Sequence, residues 1–286
     1  RLSLVSAVVS AVCFTLSGLM VRRLSEPHFA PALCSLPFII LFLRNALNST
    51  TTRHKLAFSL VSGGFLALRL LSGFLHIAPY IVVVTITIGL ADLISKCRKA
   101  GPNRLRSGII AGRSVVGVLL IVFLVAGTLS SAMLVPAMEL TSFSGRSPEP
   151  DKSVQAYTQN FTAAYVLKSI CVYSGEKSQI ETVRGAGITF LLLIAASLFS
   201  SNNSKWLFWI VALSLIDCTI GTPLPIATVV KRAAPFEMVA SSRAFDVALL
   251  PLSILAGIGF DALSEMLRKL RLVGLRFLLA AVSATA

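Results

Sequence analysis

Charge is scarce in this chain, and negative charge scarcer still. Charged residues make up 13% of the 286, with 12 Asp and Glu against 26 Lys and Arg. A soluble domain of that length, 55% hydrophobic, would precipitate or have to hide long apolar runs inside oligomers. Cysteine is sparse as well. Cys13, Cys34, Cys97, Cys171 and Cys218 lie scattered, mostly inside apolar runs, with no Cys-x-x-Cys spacing. That excludes the usual zinc-site and disulfide-framework patterns. The sequence also lacks a Gly-x-x-x-x-Gly-Lys phosphate loop, a Gly-x-Gly-x-x-Gly turn and a His-Glu-x-x-His pair. Nucleotide-loop and metallohydrolase chemistry are thus unsupported, and neither a cofactor nor a metal is expected.

What the chain has instead is long apolar runs and a mean hydropathy of +0.83. They read as spans at Leu2–Met20, Phe29–Leu43, Leu56–Leu71, Pro79–Ile94, Ser114–Val135, Gly185–Phe199, Trp206–Ile220, Val247–Leu263 and Val273–Ala286. A transmembrane helix needs about 20 apolar residues, and several runs approach that length. Phe29–Leu43 carries Pro31 and Pro37 and reads as kinked or re-entrant. The expectation is an all-α polytopic transmembrane bundle of about 8–9 spans, a single integral-membrane domain over residues 1–286. Beginning at Arg1 and ending within an apolar run, the chain also reads as a fragment of a longer protein.

The net charge of +14 does not signal nucleic acid, because the basic residues flank apolar spans rather than forming an aromatic-laced patch. Attraction to anionic membrane lipid is the better account. The short, dense basic segments Lys96–Arg113 and Arg268–Arg276 point to the cytoplasm by the positive-inside rule. The long loop 136–184 and the connection 221–246 then fall outside.

Candidate site residues follow from that orientation. Glu139 and Arg146 sit where the helix Ser114–Val135 runs into Pro136 and leaves the bilayer. A carboxylate there can orient a hydroxyl or pair with a cation; the plainer reading is a hydrated helix-end glutamate. In connection 221–246, Lys231, Arg232 and Arg243 form a second cluster, with Ser241 and Ser242 beside Arg243. Arginine binds phosphate through two oxygens at once, so Arg243 is the candidate phosphate contact; the alternative is an interfacial snorkelling arginine. Arg69, inside an apolar span, has to face the bundle interior, snorkel, or pair with an acid such as Asp92 on the next span. His76 reads as a turn residue, and Glu149-Pro150-Asp151 as a chance acidic triplet.

An ordered series of short motifs carries a family resemblance. It comprises Leu16-Ser17-Gly18, then Ala32–Leu43 followed by Arg44, and Leu70-Leu71-Ser72-Gly73. It continues with Leu134-Val135-Pro136-Ala137-Met138-Glu139, Ser144-Gly145-Arg146, Gly221-Thr222-Pro223-Leu224, and Ser242-Arg243 leading into Leu255-Ala256-Gly257-Ile258-Gly259. On these the chain resembles the YfhO-type bacterial membrane proteins of the GT-C glycosyltransferase superfamily. Such proteins often read Gly-His-Pro-Gln where this chain has Gly73-Phe74-Leu75-His76. The resemblance implies transfer of a sugar from a polyprenyl-phosphate donor to an extracytoplasmic acceptor, an envelope polymer or lipid, at the bacterial inner (cytoplasmic) membrane. It also implies a catalytic carboxylate in a first external loop upstream of Arg1, with Glu139 the one candidate within the chain. Two other classes compete: a transporter or flippase of lipid-linked or anionic envelope precursors, and a non-catalytic membrane scaffold.

Overall fold

The computed structural model describes residues 3–17, 20, 33–72, 77–99, 104–143, 187–220 and 242–285. Among these residues every regular element is a helix. In chain order they are α1 (Leu4–Thr15), α2 (Leu36–Asn48), α3 (Thr52–Leu71), α4 (Ala78–Lys99), α5 (Arg104–Phe143), α6 (Ile188–Ala196), α7 (Lys205–Ile220) and α8 (Ser242–Thr285). A 3₁₀ turn, Ser197–Phe199, extends α6. The chain divides into two compact units. One holds residues 1–21, 167–210 and 251–286, the other residues 22–166 and 211–250.

Among the described residues, four helical segments are long and apolar enough to cross a membrane: Thr52–Leu71, Ala78–Arg98, Gly108–Pro136 and Ala244–Leu270. Their side chains follow the rules of an apolar solvent. On α5, Val116, Leu120 and Leu124 repeat every fourth residue and are 62%, 53% and 57% exposed. Such a stripe would be costly in water and suits acyl chains. Hydroxyls return to their own helix: Thr85 donates to the Ile81 carbonyl, Thr128 to Leu124, Ser130 to Ala126 and Thr219 to Leu215. Each satisfies its donor without water, as a helix in hydrocarbon must.

The unit holding α2–α5 is built on α3, which packs most extensively on α5 and then on α2. Gly63 permits the first approach, since a Cβ there would stand 2.8 Å from the Val122 carbonyl oxygen and from Val125 Cβ. Against α2, Ser62 donates to the Ile39 carbonyl (3.0 Å), and Phe65 stacks on Phe38 and Phe42 with centroids 5.0 and 5.7 Å apart. Two lysines tie helix ends together: Lys55 Nζ donates to Ser114 Oγ (2.9 Å) and Lys96 Nζ to the Leu47 carbonyl (2.7 Å). The C-terminal end of α2 and that of α4 therefore lie together, and the start of α3 lies against α5.

In the other unit, α1, α6 and the later part of α8 meet through small residues. A Cβ on Gly257 would lie 2.6 Å from the Ser6 carbonyl oxygen and run into Ser10, while one on Gly259 would strike the Leu193 carbonyl. Ser10 Oγ donates to the Ser253 carbonyl (2.9 Å). Lys205 closes the end of α6 and its 3₁₀ turn by donating to the carbonyls of Leu198 and Ser200, with its ammonium 5.2 Å from the Trp206 ring.

Several sequence expectations change here. The helix expected to end at Val135 passes through Pro136 to Phe143, so loop 136–184 starts as helix. The expected spans Val247–Leu263 and Val273–Ala286 are joined in the single helix α8, so Arg268–Arg276 is not a turn. Its Arg, Lys and Leu residues favour helix, no proline interrupts them, and Gly274 is the one poor helix former among them. The connection 221–246 is helical from Ser242. Pro37 lies in the first turn of α2, where its missing N–H costs nothing. At 13 residues, α2 is about 20 Å long, short of a bilayer's hydrocarbon core.

Candidate functional site

Of the ionisable residues singled out in the sequence, Arg69 is the one most deeply enclosed. It sits in the last turn of α3 and is 1% exposed, so it faces the interior. Its Nη1 donates to Ser72 Oγ at 3.0 Å, and Ser72 in turn donates to the Arg69 carbonyl. Asp92 is not its partner. That carboxylate pairs with Lys96 one turn further along α4, at 2.6 Å. Fourteen residues separate Asp92 from the start of α4 at Ala78, about 21 Å along the axis. Arg69, at the C-terminal end of α3, precedes the other end of that helix in the chain.

Around the Arg69 end of this unit the sequence places further polar side chains, all buried. Tyr80 opens α4 at 3% exposure, Asp217 and Cys218 close α7 at 8% and 2%, and Asp246 opens α8 at 0%. Tyr80 lies within electrostatic range of both Cys218 and Asp246. Beside Asp246 on α8, Ala244, Phe245 and Val247 are each at 2% or less. Two carboxylates, a phenol and a guanidinium thus belong to helix ends of one unit. Buried charge survives in a low-dielectric interior only when other polar groups compensate it, and such groups in membrane helices commonly serve function. Chemically, these residue types can hold a proton, order a hydroxyl or neutralise an anion.

Sequence reasoning found Arg69 but did not single out Asp217 or Asp246 as site residues. The signal was present: an acid inside the apolar run Trp206–Ile220, and another immediately before Val247.

The expected phosphate and carboxylate cluster is only partly described. Arg243 belongs to the first turn of α8. Glu139 lies on α5 three residues past Pro136, exposed, on a continuing helix rather than at a helix end. Arg146, Lys231, Arg232, His76 and the triplet 149–151 lie outside the described residues. Among the described residues no cluster of His, Cys, Asp and Glu could hold a metal.

No protein-family model, curated protein or solved structure matches the chain. The class defined by its own features is an all-α protein with helices fit to cross a membrane.

Proposed function

We propose that the chain is the membrane-embedded part of a YfhO-type glycosyltransferase with a GT-C-like bundle of about 8–9 crossings in the bacterial inner membrane. It would move a sugar from a polyprenyl-phosphate donor to an envelope polymer or lipid on the outer face. The observation that carries this reading is the buried polar set Arg69, Tyr80, Asp217 and Asp246, drawn from the helix ends opposite the basic connections. A lipid-linked donor delivers its phosphate at that depth, which is why no nucleotide loop is required. Arg243, with Lys231, Arg232 and Arg146, neutralises the departing phosphate, and a carboxylate takes the acceptor proton; Glu139 is the candidate for that role within the chain. The first-turn position of Arg243 favours this, since a helix N-terminus adds backbone N–H donors for an anion.

The short apolar helices α1, α2 and α6 favour a second reading, a transporter or flippase of a lipid-linked or anionic precursor, because broken helices line such sites. One experiment separates the two. Proteoliposomes holding the full-length protein are given radiolabelled polyprenyl-phosphoryl hexoses and an envelope acceptor fraction. Label passing to the acceptor supports the transferase. Donor crossing the bilayer without any transfer of label overturns it in favour of the flippase, and neither event leaves a scaffold.

A further inference from the structure

The unit containing α1, α6 and the later part of α8 carries a cleft that the sugar-transfer reading does not use. It has a volume of about 470 Å³, and its walls include Ser200, Ser201, Asn202, Asp261, Glu265 and Arg268. The last three stand at i, i+4 and i+7 on α8, so they share one face of the helix. Asp261 is held in place, accepting from Ser3 N (3.2 Å), Ser3 Oγ (2.6 Å) and Ser6 Oγ. Glu265 pairs with Lys269 at 2.8 Å, and both remain largely open to solvent.

A second, apolar furrow of about 210 Å³ adjoins the cleft and shares Ala262 and Glu265 with it. Its walls are Ala196, Phe199, Leu263 and Met266, with Lys269 at the rim. Phe199 is 87% exposed and Met266 58%. A polar cleft joined to an apolar furrow is the shape of a molecule with a charged head and a hydrocarbon tail. Depth agrees with this. Arg268 lies two residues before the end of the apolar segment Ala244–Leu270, where a crossing helix leaves the hydrocarbon.

We infer that this cleft binds the headgroup of an aminophospholipid, with one acyl chain lying in the furrow. The charge order on α8 selects the class: two carboxylates, then a guanidinium about one turn further on. An ethanolamine ammonium brings three N–H donors for Asp261 and Glu265, and its phosphate accepts the fork of Arg268 and the serine hydroxyls. A choline headgroup has the same phosphate but no N–H to donate. A glycerol headgroup leaves an anion facing two carboxylates. The furrow commits the ligand to a membrane lipid rather than a free phosphoester. This site is independent of the sugar-transfer reading.

The test is native mass spectrometry of the full-length protein from nanodiscs containing equal parts of palmitoyl-oleoyl phosphatidylethanolamine, phosphatidylcholine and phosphatidylglycerol. Phosphatidylethanolamine should be retained at least five-fold over either competitor. Its occupancy should fall at least five-fold in Arg268→Gln and in Glu265→Gln, two open positions at which the fold is not at stake, and at least three-fold in Phe199→Ala. Soluble glycerophosphoethanolamine should not displace it. Equal retention of the three lipids, unchanged occupancy in the Arg268→Gln/Glu265→Gln double variant, or displacement by the soluble headgroup would each overturn the assignment.

Discussion

Gly257 and Gly259 stand two residues apart on α8, and each is closed off by the backbone of a different helix. Ser6 of α1 meets the first and Leu193 of α6 the second. Two residues turn a helix by about 200°, so the pair opens opposite faces of α8 and lets it pass between its neighbours at backbone distance. Association of helices in lipid gains little from apolar burial and depends on such close fit.

Gly259→Val should therefore lower the thermal midpoint of the protein in detergent micelles, by an amount matching at least the 1–3 kcal/mol or so that overpacking costs. Gly257→Val should do the same. Gly127→Ala on α5, where a Cβ meets nothing within 4 Å, should leave the midpoint unchanged or raise it slightly. Equal behaviour of the three variants would refute the packing account.

Lys96 joins the Asp92 carboxylate to the Leu47 carbonyl. Lys96→Met leaves the shielded Asp92 oxygen without its cation and should cost about 1–2 kcal/mol. The double variant Asp92→Asn/Lys96→Met should recover part of that loss. A thermal-melt double-mutant cycle with no coupling would show that the pair contributes nothing beyond solvent-screened attraction.

The proposed orientation is checked in intact cells. With the five native cysteines replaced, a cysteine at Asn103 should resist an impermeant maleimide and one at Ser153 should react with it. The reverse pattern would place the basic connections outside and remove the external site.

Arg243→Lys keeps the charge but loses the two-bond fork, so sugar transfer by the full-length protein should fall roughly ten-fold. Arg243→Ala should fall further, toward a hundred-fold, as charge-assisted bonds contribute about 1.5–3 kcal/mol each. Arg146→Ala serves as the comparison, with membrane insertion verified in every case. Undiminished donor affinity in Arg243→Ala would make it an interfacial anchor.

Hydropathy located α3 and α4 and the C-terminal end of α3, but not the other three ends. The runs Leu56–Leu71 and Pro79–Ile94 become Thr52–Leu71 and Ala78–Lys99. Backbone hydrogen bonding continues through polar residues after the apolar run stops, and Thr51 caps α3 ahead of it by accepting from His54 N. The same blindness made Arg268–Arg276 look like a turn. Arg69 was legible because a guanidinium in an apolar run has few resting places. Its surroundings were not, because the helix ends bearing Tyr80, Asp217 and Asp246 come from segments far apart in sequence, and single-chain periodicity says nothing about which ends share a unit. Asp92 was a candidate partner for Arg69 because it lies on the next span, but its carboxylate pairs with Lys96, one turn away on its own helix.

The two glycines of α8 have a mechanical consequence. Gly257 and Gly259 meet Ser6 and Leu193 at backbone distance, so a slip of α8 along its own axis by even one residue, about 1.5 Å, would set a side chain where only a hydrogen fits. The pair acts as a detent. It fixes the level of every residue that α8 carries in this unit, Asp261 and Glu265 included.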